Sequence, residues 1–412
     1  MKRYNKYVVT GVQWIPEIPQ HWSLGKVKYF YKMTTGFTPA TKNSNYYDAE
    51  KGYDWVTIGD LKGRVIYNST NKISSLAIND YSPTPTPKGS LMYSFKLSVG
   101  LVGFAGKELY TNEAIASFLE DSKTCLPYLY YAAPFFIEFN ANTNIYGAHI
   151  MNQELIKNAL IAFPPIDEQK AIANYLDEQC AKIDKVIAAQ EKRVELLQEL
   201  KQTIITRAVT RGIDPDVKLK DSGVEWIGFI PADWKVIRMR YLCDMVTGDK
   251  DTIMREENGE YPFYVRSPKV ERINTYSFDG EAVLMAGDGV GAGKVIHYAT
   301  GKFDFHQRVY NFHHFKNITG KYLYYYLVSN FKYKIEEGGA KNTVDSVRLP
   351  WLKDFQICVP TIKEQNLIIS HIEKQSYRID SAVSRVVHQI DLLKEYKQSL
   401  ITEVVTGKRK VS

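Results

Sequence analysis

The chain has 412 residues, 44% of them hydrophobic and 24% charged, and its 53 Lys and Arg against 46 Asp and Glu leave a net charge of +7. That composition excludes a disordered or fibrous protein and implies two or three domains; the mild basic excess is compatible with a nucleic-acid partner without requiring one. The cysteines (Cys125, Cys180, Cys243 and Cys358) form no Cys-x-x-Cys pair, and no apolar leader or run of about 18 apolar residues is present, so a disulfide scaffold and a membrane span are excluded and a cytoplasmic location is expected.

The first distinctive segment is WIPEIPQHW (Trp14 to Trp22), followed by the basic and apolar GKVKYF. A body of strand-like runs comes next. DWVTIGDL (Asp54 to Leu61) and GSLMYSF (Gly89 to Phe95) are bounded by Gly, Pro or Asp as strands are, while the Tyr-rich PYLYYAAPFF (Pro127 to Phe136) reads as a buried helix. PPIDEQ (Pro164 to Gln169) places Asp167 and Glu168 where a helix dipole favours negative charge, and a helix of about 40 residues, roughly 60 Å long, is predicted after it. Leu176, Ile183, Leu197 and Ile204 lie on one seven-residue row, with Ile187 and Val194 alongside. Gln190 interrupts the row, as a register-setting polar group or as a solvated break. The polar, Gly- and Pro-containing RGIDPDVKLKDSGVE (Arg211 to Glu225) is a linker.

From there the pattern starts again. WIGFIPADW (Trp226 to Trp234) repeats the first motif 212 residues on, and PTIKEQ (Pro360 to Gln365) repeats PPIDEQ 196 residues on. The displacement of 196 also pairs Ile183-Asp184 with Ile379-Asp380, Lys201-Gln202 with Lys397-Gln398 and Val209-Thr210 with Val405-Thr406. One offset held without a gap over some forty residues marks a duplication. Between these brackets the bodies diverge, the first being longer by the 16 residues that separate the two displacements. In the second body YPFYVRS (Tyr261 to Ser267) and EAVLMAG (Glu281 to Gly287) are predicted strands and KYLYYYLVSN (Lys321 to Asn330) a predicted helix; FHQRVYNF (Phe305 to Phe312) matches TNEAIASF (Thr111 to Phe118) at an offset of 194. Ile372, Ile379, Val386, Leu393 and Leu400 then keep a spacing of seven, with Val383 and Ile390 on the offset row, which predicts a coiled coil. Two equivalent helices in one chain pair most simply about a pseudo-two-fold axis, hence antiparallel. The closing GKRKVS (Gly407 to Ser412) is expected to be disordered.

Catalytic patterns fail on inspection. GDGVGAGKV (Gly287 to Val295) puts Asp288 where a phosphate loop needs its first glycine and Val295 where it needs Ser or Thr, and the strand-like KVIHYATG after it argues against a dinucleotide fold; a loop between two strands is the better reading. AFPPI (Ala162 to Ile166) lacks the flanking residues of a methyltransferase Pro-Pro loop. His313-His314 has no ligand-spaced partner in the sequence, no His-Glu-x-x-His helix or nucleophile elbow is present, and Asp214 and Asp216 read as turn residues. No catalytic or metal-binding residue is expected.

The repeated Trp-Ile bracket closing on Ile-Pro-x-x-Trp, variable body, Pro-x-Ile-x-Glu-Gln helix opening and heptad helix together resemble the specificity subunit of type I restriction–modification enzymes, over essentially the whole chain. The resemblance implies an α+β fold: two mixed α/β target-recognition domains separated by two long antiparallel coiled-coil helices. Its parts are recognition domains over 1–163 and 226–359, spacer helices over 164–210 and 360–406, the linker 211–225 and the basic tail 407–412. It implies a non-catalytic subunit that reads an asymmetric bipartite site on double-stranded DNA. Two methyltransferase subunits would dock on it, and restriction–translocation subunits would join them; S-adenosylmethionine, ATP and magnesium would sit on those partners and none on this chain.

The resemblance fixes no base-reading residue, so candidates come from side-chain chemistry. Lys62, Arg64 and Lys96 suit phosphate contact and Asn112 suits an adenine edge; Arg266, Lys269, Lys294, Gln307, Arg308, Lys341 and Asn342 are their counterparts in the second body. Each is, taken singly, equally a solvated surface residue. Two other readings fit the sequence less well. A self-contained methyltransferase or nuclease needs a cofactor pocket that the sequence lacks, and a structural coiled-coil scaffold needs no pair of divergent Tyr-rich bodies.

Overall fold

The computed structural model describes residues 2–143, 149–337 and 346–411. The chain divides into two units, Met1–Ala189 with Gln389–Ser412, and Gln190–His388. Each unit holds one body and one segment of each long helix, Ile166–Arg211 and Ile362–Val405. The fold is α+β, and no helix among the described residues is long and apolar enough to cross a membrane.

In the first unit a five-stranded sheet runs in the order Met33–Thr35, Ile115–Phe118, Leu91–Ser94, Val102–Ala105, Val65–Ile66. Of its three inner strands, Ile115–Phe118 and Leu91–Ser94 are buried at every residue, which is why GSLMYSF shows no polar alternation. A second sheet places Tyr53–Val56 between Tyr110–Thr111, to which it runs parallel, and Asn71–Ile73. The helix Leu126–Glu138 packs on Leu160–Phe163 and on the large sheet.

The second unit repeats this plan. Asp244–Thr247, Val309–His313, Ala282–Ala286 and Ile296–Ala299 form one sheet in that order, and Tyr261–Tyr264 pairs parallel with Lys302–Phe305 in another. Trp234, Tyr322, Tyr326, Phe331 and Ile357 form its core together with Ile205, Val209, Ile368 and Ile372 of the helices.

The repeat is built from matching contacts. Tyr128 Oη lies 2.8 Å from the carbonyl of Ala162 and 3.4 Å from that of Val405; Tyr322 Oη lies 2.9 Å from Cys358 O and 3.0 Å from Val209 O. Both tyrosines are fully buried, and each fastens its body to a strand end and to a long helix at once. The glutamine of each Pro-x-Ile-x-Glu-Gln bracket is also fully buried. Gln169 donates to Pro164 O at 2.8 Å and accepts from Cys125 N; Gln365 donates to Pro360 O and Asn317 O, both at 3.0 Å, and accepts from Thr319 N. Glycines meet a repeated demand as well: a Cβ on Gly36 would run into the carbonyl of Thr111, and one on Gly248 into that of Phe305.

Within each unit the two helix segments run in opposite directions. Asp184 pairs with Lys397 in the first unit while Tyr128 gathers Ala162 and Val405; in the second, Asp380 pairs with Lys201 while Tyr322 gathers Cys358 and Val209. Leu176, Ile183, Ile187, Ile372, Ile379, Val386, Ile390 and Leu400 are buried. Val194, Leu197, Ile204, Val383 and Leu393 are only half-buried, and Ile205 with Ala208 and Val209 takes the buried place expected for Ile204. The last turns pack on the body, where the 3.6-residue period governs rather than the heptad.

The tail differs from expectation. Tyr7 Oη donates to Gly407 O at 3.0 Å, Arg409 N to Glu403 O and Lys410 N to Lys2 O, and Gly407, in the left-handed region at φ +73°, lies against Pro19 and Trp22. Gly212 does the same after the first helix, at φ +76° against Trp234 and Pro231. The glycine ends the helix, and the tryptophan bracket covers it.

Candidate nucleic-acid interface

In the second unit the connection between Ala282–Ala286 and Ile296–Ala299 turns through Gly289 and Gly293, both at positive φ, and presents Asp288 and Val290. Asp288 gathers two guanidinium groups: Arg266 Nη1 lies 2.9 Å from Oδ1 and Arg308 Nε 3.6 Å from Oδ2. The backbone N–H of Arg308 donates to His306 Nδ1 at 2.9 Å, and Gln307 Nε2 donates to Asp251 Oδ2 at 3.1 Å. Burial pushes the His306 imidazole below its ordinary range, assisted by Arg266, so at neutral pH it is the unprotonated acceptor this bond needs. Arg266, Gln307 and Arg308 are thus brought together. Lys269 stands apart from this group, 3.7 Å from Glu271, and Lys294 lies in the same connection as Asp288. Lys341 and Asn342 lie outside the described residues.

The first unit carries the same connection, between Leu91–Ser94 and Val102–Ala105. Tyr93 pairs with Ala116 there as Met285 pairs with Tyr310 in the second unit, so Lys96 occupies the place of Asp288. Lys96 lies 3.7 Å from Glu113, so the position is basic here where Asp288 is acidic and draws in Arg266 and Arg308; Glu113 itself matches Gln307. Asn112 is used locally, its Oδ1 accepting from Ala114 N at 3.2 Å and its backbone N–H donating to Val56 O. Lys62 is exposed on its turn.

Arg64 is engaged within the protein. Its guanidinium spans both carboxylate oxygens of Asp177 on the long helix, with Nη2 at 2.8 Å from Oδ2, donates to Tyr131 Oη at 3.1 Å and lies 4.8 Å from the centre of the Tyr130 ring. It fastens the body to the helix.

Two side chains escaped the sequence reading. Leu97 is 97% exposed at φ +60°, and Val290 is 94% exposed, each at the tip of the equivalent connection beside Lys96 or Asp288. An apolar residue at a strand connection carries no sequence signal until the strands are known; only then is it seen to be held out in solvent beside charged groups. His313 and His314, left without a partner in the sequence, find Asp244 across paired strands.

Comparisons with known proteins bear on this architecture. Residues 19–197 and 231–382 match the model of the family described as the type I restriction modification DNA specificity domain. The type I restriction enzyme EcoDI specificity subunit of Escherichia coli is 32% identical over 180 residues, 44% of this chain and 39% of that protein. The MjaVIII specificity subunit of Methanocaldococcus jannaschii is 22% identical over 96% of this chain and 94% of its own. Among solved structures, a chain from a study of complex assembly and conformational transition of the type I R-M system superposes with a TM-score of 0.70 at 14% identity, covering 94% of this chain and 98% of that one.

Proposed function

The chain belongs to the type I restriction–modification DNA specificity family, and from that premise we propose that it is the non-catalytic subunit that reads an asymmetric, two-part DNA site for a restriction–modification complex. One observation carries the asymmetry. The two units hold their bodies with the same tyrosine and glutamine contacts, yet present unlike connections, Lys96–Glu113 in one and Asp288 with Arg266 and Arg308 in the other. A shared frame under connections that differ in charge and in their exposed tips, Leu97 and Val290, suits two readers of unlike base sequences.

In this reading residues 1–163 and 226–359 are target-recognition domains. Arg266, Gln307 and Arg308 face DNA in the second, and Lys62 and Lys96 in the first. The helices over 164–210 and 360–406 form an antiparallel coiled-coil spacer and the docking surface for two methyltransferase subunits and for restriction subunits. S-adenosylmethionine, ATP and magnesium serve those partners, and the assembly methylates adenine or cleaves DNA. The ion pairs Lys201–Asp380 and Lys397–Asp184 and the buried row on each helix support the spacer role. The test is to combine the chain with a cognate methyltransferase and map modified adenines on genomic DNA. A split, asymmetric motif is expected with both proteins and no methylation with either alone; methylation by the purified chain by itself would overturn the reading.

A further inference from the structure

We propose that Asp244, His313 and His314 form a binding site for one borderline divalent transition-metal ion of the zinc or cobalt kind. Asp244 and His313 are directly paired residues on adjacent antiparallel strands, Asp244–Thr247 and Val309–His313. Two successive residues of a strand normally point to opposite faces. His314 escapes that rule because its backbone turns into the left-handed region at φ +51°, which sets its ring 4.6 Å from the ring of His313. His314 Nδ1 lies 3.0 Å from Asp244 Oδ2, and the three residues each offer a ligand atom within 4.8 Å of the other two.

The burial of His313 points to a ligand independently. It is 8% exposed, lies 5.1 Å from the Phe278 ring, and its Nδ1 is buried with no hydrogen-bond partner. The Asn311 backbone also bonds this ring, and a buried imidazole nitrogen left without a partner costs free energy that an ion coordinated by that nitrogen would recover. Two imidazoles and one carboxylate suit zinc, cobalt or nickel, whereas calcium and magnesium prefer all-oxygen sets. Asp244 and His314 are exposed, so a fourth position is open to water.

The repeat supplies an internal control. Met33 pairs with Phe118 as Met245 pairs with Phe312, so the counterparts of Asp244, His313 and His314 are Lys32, Leu119 and Glu120. The same strands form there, with Leu119 N donating to Lys32 O at 3.0 Å. The fold therefore does not require this trio. Lys316 Nζ, 3.9 Å from Asp244 Oδ1, is the cation that a bound ion would meet.

The experiment is equilibrium dialysis of the chelator-treated full chain against zinc alone and cobalt alone, with the visible cobalt spectrum recorded. One equivalent is expected, without a thiolate charge-transfer band. Affinity should fall about tenfold or more in Asp244→Asn and in His314→Ala, both at exposed positions. Lys316→Gln, which removes a competing cation, should bind more tightly, so the proposal does not depend on variants that lose function alone. Absence of saturable binding, a cobalt–thiolate band, or an affinity unchanged in all three variants would overturn it.

Discussion

Lys397 sets its ammonium on both carboxylate oxygens of Asp184, at 2.6 and 2.7 Å, and Lys201 does the same to Asp380 at 2.8 and 2.7 Å. The duplication turns each pair into the other: the displacement of 196 carries Asp184 to Asp380 and Lys201 to Lys397. The lysines are about 30% exposed and the aspartates more than half, so solvent screens the attraction. Reversing one charge, as in Asp184→Lys, should lower stability modestly, and the double exchange with Lys397→Asp should restore it. A double-mutant cycle by chemical denaturation is expected to return a coupling of about 0.5–1 kcal/mol, and a coupling near zero would remove the pair from the account of helix pairing.

The buried glutamines should cost far more. Gln365→Leu keeps nearly the same volume but leaves Thr319 N–H and the carbonyls of Pro360 and Asn317 without their partner inside the core. A loss of about 1–3 kcal/mol is expected, with the same result for Gln169→Leu. Denaturant midpoints at an unchanged slope check this.

The brackets were legible in the sequence because the residues that hold the frame, Gln169 and Gln365 or Trp22 and Trp234, must keep their identity wherever the frame is repeated. Even there the partners were not. Trp234 Nε1 donates to Glu364 at 2.9 Å, whereas Glu168 at the matching place is taken by Tyr4 and His21, and Trp22 Nε1 is buried without a partner. The candidate set in the turns was harder to read, since a basic residue in a turn does not reveal what it meets. Arg64 finds Asp177, 113 residues away, and becomes a fastener, while Arg266 and Arg308 converge on Asp288 from two different strand ends.

That distinction is measurable in DNA binding. Arg266→Ala and Arg308→Ala should each weaken binding and lower the slope of log affinity against log salt by about one, as loss of a phosphate contact does. Arg64→Ala should leave that slope unchanged and reduce stability instead. Leu97→Ala and Val290→Ala, at the exposed tips, should change the preferred base at one half of the site without altering the slope. Fluorescence anisotropy over a salt series separates the three behaviours.

The second unit should be the acid-sensitive one. Burial holds His297 and His306 below the ordinary histidine range, which makes their unprotonated forms part of the folded state. A base whose folded pKa is depressed contributes fully above its unfolded value, near 6.5, and the contribution is lost as pH falls from there through the folded value. For His306 the loss is concrete: a proton on Nδ1 removes the acceptor for Arg308 N–H beside the already cationic Arg266. Thermal midpoints measured from pH 7.5 to 5.5 should fall, and the fall should be smaller in His306→Asn, which keeps an acceptor that does not titrate. An equal pH dependence in wild type and variant would exclude His306 as a source of the effect.

The sharpest test of the shared frame is steric. At Gly36 and Gly248 an added Cβ would overlap a backbone carbonyl, that of Thr111 or of Phe305, and neither carbonyl can rotate away because the strand that follows each is pinned in the large sheet. Alanine at either site must therefore push two segments apart, and a loss of about 2 kcal/mol or more is expected from strain of this kind. Gly11, which has nothing within 4 Å of its added Cβ but sits at φ +74°, is the contrasting case, where alanine pays only for its backbone conformation. Stability should follow the order Gly11→Ala, then Gly36→Ala and Gly248→Ala together. A tolerated Gly248→Ala would mean that the two bodies do not share the close approach that the repeat implies.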